Sequence, residues 1–115
     1  MLDPLTLDQM RVLVAVADAG SFSAAARALG RVQSAISQSI QTLEATLGIA
    51  LFDRTSKTPQ LTEAGRAIVE DARALIVAAG ALRARAQSLA EALRDFGSTR
   101  AAVSLRPSPP GGATS

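Results

Sequence analysis

Apolar residues recur at helical spacing three times in the first half of the chain. Thr6, with Gln9 three residues on, forms a capping-box pattern, and Met10, Leu13, Val14 and Ala17 follow at helical spacing until Gly20 ends the segment. Ser23 is placed to cap a second, short helix through Leu29, and Gly30 can turn the chain into a third. In that third helix, residues 33–47, Ile36, Ile40, Leu43 and Leu47 fall at steps of four, three and four and share a core-facing stripe. Gly48 terminates it. A short apolar run from Ile49 to Phe52, a polar turn holding Arg54, Lys57 and Pro59, and a return at Leu61 then predict a small β-hairpin.

The second half reads differently. Thr62 is placed to cap a long helix in which Ile68, Leu75, Leu82, Leu89 and Phe96 recur every seven residues, with Ala72, Ala79, Ala86 and Leu93 as a second row of the same seam. Ile68 and its neighbours are expected to pack on the chain's own globule. Beyond Leu75 the seam calls for a partner helix, so Leu75, Ala79, Leu82, Ala86, Leu89 and Leu93 are the expected dimerisation residues. After Phe96 the sequence "GSTRAAVSLRPSPPGGATS" has little to bury and reads as a disordered tail. The expected organisation is a helix-turn-helix unit with a hairpin over residues 1–62, a linker helix over 63–96 and a tail over 97–115.

Composition supports a mostly α fold and removes several chemistries. The 115 residues suffice for one modest core, and at 48% hydrophobic with three Phe and neither Trp nor Tyr, that core is built from Ala, Leu, Val and Ile. Cysteine and histidine are both absent, which leaves no disulfide framework, no thiolate or imidazole metal site and no histidine general base. The adjacent Glu70 and Asp71 point in different directions on a helix, so no nucleophile and base can be paired and an enzyme is not expected. Neither a leader nor a membrane span is visible, so a cytoplasmic protein without cofactors is expected. The net charge of +2 is uninformative by itself. Residues 1–62 carry five cations and five carboxylates, residues 63–97 another five of each, and the surplus is Arg100 and Arg106 in the tail. Position rather than total charge must therefore decide what the protein binds.

The third helix offers such a position. Opposite its apolar stripe it presents Gln33, Ser34, Ser37, Gln38, Gln41 and Thr42, and Glu44 is the only formal charge between residues 32 and 52. A solvated surface is one reading of this face. The other is base reading, because glutamine offers a donor and an acceptor together, as the major-groove edge of adenine requires, while serine adapts to several bases or to phosphate. A helix-turn-helix places its second helix in that groove. Arg54 and Lys57 in the hairpin would then lie where they can contact phosphate or enter the minor groove, although Arg54 can instead pair with Asp53 or another nearby carboxylate.

From Leu5 to about Ala90 the chain resembles the N-terminal winged helix-turn-helix domain and linker helix of LysR-type transcriptional regulators. The stretches "GSFSAAARALG", "QSAISQSIQTLEATLGIALFDR" and "LTEAG" carry the resemblance, in the family's order and spacing. It implies double-stranded DNA as partner, with Gln33, Ser34, Ser37 and Gln38 on the recognition helix and Arg54 and Lys57 in the wing. Thr42 shares the helix face. Two such helices, brought together by the linker helices, would read an interrupted inverted repeat.

Three departures stand out. Val32 occupies a place where the family often has a capping Ser or Thr, and Gln38 one where Arg is common; Arg31 beside the turn is expected to compensate in part for that lost charge. Nothing in the sequence corresponds to the family's larger effector-binding domain, so no effector site is expected. This leaves an alternative, an interaction protein that heterodimerises with full-length relatives and modulates them.

Overall fold

The computed structural model describes residues 5–55 and 58–97, without the side chains of 96 and 97. The expectations for Lys57, for the Phe96 side chain in the seam and for the tail beyond residue 97 lie outside the described residues. The described part is α1 (Leu7–Ala19), α2 (Phe22–Leu29), α3 (Gln33–Leu47), the strands β1 (Phe52–Asp53) and β2 (Gln60–Leu61), and α4 (Glu63–Gly97). It is a mostly helical winged helix-turn-helix followed by a long helix.

Local chemistry starts each helix. At α1 the Gln9 N–H donates to the Thr6 hydroxyl at 3.1 Å and the Thr6 N–H donates to the Gln9 side-chain carbonyl at 2.9 Å. The reciprocal box also satisfies Gln9, the one buried polar residue recorded among the described residues. The cap of α2 is Ser21 rather than the expected Ser23: the Ala24 N–H donates to the Ser21 hydroxyl at 3.0 Å, and Ser23 lies within the first turn. The first residue of the helix, Phe22, sets its ring edge-on against Phe52, with centroids 5.7 Å apart.

The core is aliphatic. Met10 and Leu13 are buried as expected, but the other fully buried residues of α1 are Val12 and Val16, while Val14 and Ala17 are only half-buried. A helix packed against both α2 and α3 buries a face wider than a single stripe. Ile36, Ile40 and Leu43 of α3, Leu51 and Phe52 before and within β1, and Val69 and Ala72 of α4 complete the cluster. Ala72 is thus a core residue of the winged unit. Arg73 donates two hydrogen bonds to the Asp18 carboxylate, the shorter 2.6 Å, and this bonding holds the Asp18 carboxyl below the usual carboxylate range.

The start of α4 lies against the chain entering the hairpin. The Thr62 N–H donates to the Leu51 carbonyl at 3.0 Å, and the Thr62 hydroxyl donates to the Ala50 carbonyl at 2.7 Å while accepting the Gly65 N–H at 2.9 Å. Gly65 is buried so closely that a Cβ there would overlap the Leu51 carbonyl oxygen. Chain contacts divide the molecule into two units, Met1–Ala78 and Ala79–Ser115. In the second unit every described side chain from Ala81 to Asp95 is exposed, including Leu82, Leu89 and Leu93.

Candidate nucleic-acid interface

The turn between α2 and α3 is fixed by backbone hydrogen bonds. Gly30 adopts the left-handed conformation (φ 67°, ψ 38°), its N–H reaches the Arg27 carbonyl at 3.3 Å, and the Arg31 N–H reaches the Ala26 carbonyl at 2.9 Å. This is a Schellman closure, in which glycine pays no Cβ penalty at positive φ. It aims α3 so that Ile36, Ile40 and Leu43 enter the core and the opposite face stays outside.

On that outer face Gln33, Ser34, Gln38, Gln41 and Thr42 are exposed and Ser37 is half-buried. Among the described residues, none of these six side chains makes a hydrogen bond or ion pair with the rest of the protein. The face is therefore a row of free amide and hydroxyl groups on a rigid helix, able to donate and accept at once.

The N-terminus of α3 is uncapped by any side chain, because Val32 occupies the cap position and is 68% exposed. Serine there can accept a backbone N–H of the first turn, so Val32→Ser is expected to raise stability by about 1 kcal/mol. An unchanged or lower midpoint in urea unfolding would count against that capping role.

Two cations flanking the helix, Arg31 and Arg54, are engaged by the protein. Arg31 grips Asp8 of α1 with both terminal nitrogens, at 2.6 and 2.8 Å, and these hydrogen bonds hold the Asp8 carboxyl below its usual range. Arg54 pairs with Glu44 at 3.4 Å and stacks over the Phe22 ring, 5.5 Å from its centroid. The carboxylate that takes Arg54 is thus Glu44 and not the adjacent Asp53, which instead accepts the Thr55 N–H and hydroxyl in a local turn. The backbone and hydroxyl donors of Thr55 hold Asp53 below the usual carboxylate range.

The tie made by Glu44 is the feature of this region least legible in the sequence. Its Oε2 accepts the N–H groups of Leu51 at 2.8 Å and Phe52 at 3.3 Å while Oε1 faces Arg54, so one carboxylate fastens the first strand to α3. The strands pair antiparallel with Phe52 opposite Leu61 and Asp53 opposite Gln60. No helix among the described residues is long and apolar enough to cross a membrane.

Residues 7–66 match the family described as bacterial regulatory helix-turn-helix protein, lysR family. The chain is 45% identical over 86 residues to the probable HTH-type transcriptional regulator YhaJ of Escherichia coli (strain K12), an overlap of 75% of this chain and 29% of that protein. The chain thus spans less than a third of the length of that curated relative. Among solved structures it is similar to the CbnR DNA-binding domain in complex with DNA, at 38% identity and TM-score 0.72, covering 75% of this chain and 99% of that one. The BenM DNA-binding domain in complex with benA site 1 DNA is matched at 31% identity and TM-score 0.72, covering 75% of this chain and 97% of that one. With more than half of its length inside that match, from α1 through the hairpin to the first turn of α4, the chain belongs to the LysR family of bacterial helix-turn-helix regulatory proteins.

Proposed function

We propose that the chain is a sequence-specific transcriptional regulator that reads double-stranded DNA with the α3 face and the wing, residues 1–62 forming the DNA-binding head. The observation that carries this reading is the row of exposed Gln33, Ser34, Gln38 and Thr42 with half-buried Ser37, free of internal partners on the second helix of a helix-turn-helix. The DNA complexes of the similar CbnR and BenM domains support it, as does the naming of YhaJ as a transcriptional regulator. Glutamine amides supply base-edge readout, and cations at the wing, Lys57 foremost, supply register on the phosphates. Arg54, held by Glu44 and Phe22, sets the wing's position.

The pairing element in this reading is α4. Leu75, Leu82, Leu89 and Leu93 are 53–69% exposed, Ala79 and Ala86 let a second helix approach closely, and two copies would present two α3 helices to an interrupted inverted repeat. Selection of bound sites from random duplex DNA by the 115-residue chain, near physiological salt, tests both parts. Enrichment of an interrupted inverted repeat is expected. A single half-site would remove the pairing, and no enrichment would sink the sequence-reading function and favour a chain that acts by pairing with longer relatives.

Gln38→Ala is expected to weaken binding by about 1–3 kcal/mol at one base position per half-site and to relax the preference there, the usual worth of a bidentate base contact. Titrations against operators varied at each position check it. An equal loss on every sequence would place Gln38 on the backbone.

A further inference from the structure

The winged head carries as many carboxylates as cations, so its attraction to a polyanion depends on which cations are cancelled by a neighbour. Arg31 stands two residues ahead of Gln33, in the turn that delivers α3, yet its guanidinium lies end-on against Asp8. Both side chains stay open to solvent, at 38% and 48% exposure, so a phosphate oxygen can reach the guanidinium but meets the Asp8 carboxylate beside it. We propose that Asp8 is a built-in brake on DNA affinity, competing with the DNA backbone for Arg31.

The inference rests on the DNA-binding reading above and adds to it a residue of α1 outside the reading face. Exposed carboxylate–guanidinium pairs are weak, holding their partners by about two- to fivefold, so the brake trims affinity without abolishing it. A transferable cation at the mouth of the helix-turn-helix also fits a face whose own side chains are uncharged, where affinity must come from its margins. Asp8 also has Arg11 one turn along α1, so a tightening on its removal has two possible recipients, and the experiment separates them.

The test is a double-mutant cycle on the full chain, read by fluorescence anisotropy of a labelled duplex carrying a selected site across a range of salt. Asp8→Asn is expected to tighten binding about two- to fivefold per protomer and to steepen the salt slope by about one per protomer. Arg31→Ala alone is expected to weaken binding about two- to fivefold, since it leaves the Asp8 carboxylate unpaired beside the DNA, whereas Arg31→Ala added to Asp8→Asn is expected to erase the whole gain. An unchanged affinity and slope in Asp8→Asn overturns the brake. So does a gain that survives in the double variant, which would assign it to Arg11 or to the general field. Asp8→Glu, which keeps the charge, is expected to bind like the parent; a gain there would show that the effect is not electrostatic. A parent chain that binds no duplex even at low salt would overturn the DNA-binding reading itself, and the brake with it.

Discussion

Gly65→Ala is expected to destabilise the protein by about 1–3 kcal/mol, the range for forcing extra atoms into a packed site. Helix propensity alone gives the opposite sign, since alanine is favoured over glycine in a helix interior by about 1 kcal/mol. Contact decides, because the added Cβ meets the backbone carbonyl of Leu51, a fully buried residue whose oxygen already accepts the Thr62 N–H, and a backbone group cannot swing aside as a side-chain end can. The helix start would have to lift from the hairpin root. Gly80→Ala is the internal control: nothing lies within 4 Å of a Cβ there, so the same change is expected to be neutral or stabilising. Urea unfolding of both variants checks the pair, and equal responses would show that Gly65 is not held by close approach.

Loss of the Glu44 carboxylate is the other large effect. Glu44→Ala leaves the Leu51 and Phe52 N–H groups without their acceptor and frees Arg54, and with a side chain only 14% exposed water replaces it poorly. At about 1–3 kcal/mol for a buried donor left unpaired, and a longer second bond of 3.3 Å, the expected cost is about 2–3 kcal/mol. Glu44→Gln keeps a carbonyl oxygen for the two N–H groups and loses only the ion pair, so it is expected to cost under about 1 kcal/mol. Equal losses in the two variants would mean that Arg54, not the backbone, is what Glu44 holds. Both should also weaken DNA binding more than they weaken folding, since a loosened wing still leaves α3 packed.

What could be read from sequence was what acts over a few residues. The Thr6–Gln9 box, the stops at Gly30 and Gly48 and the Ile36–Ile40–Leu43 stripe are all local spacings that the backbone must obey. Ser23 was the expected cap of α2, and the cap is Ser21, beside the Phe22 ring that meets Phe52 thirty residues away. Val12 and Val16 outrank Val14 and Ala17 in the core, since the neighbours of α1 come from elsewhere in the chain. The free groups on α3 were legible as residue types. The pairing of Arg31 with Asp8, of Arg73 with Asp18, and of Glu44 with two backbone N–H groups was not, because each partner is delivered by the fold and no periodicity marks it.

The edge-on pair of Phe22 and Phe52 gives the molecule an optical signature. With no Trp or Tyr and one further phenylalanine, at position 96, the near-ultraviolet circular dichroism of the chain comes from phenylalanine alone. That band persists only while rings are held in fixed asymmetric surroundings. In a Phe96→Leu background it reports a single event, the docking of the hairpin root on α2.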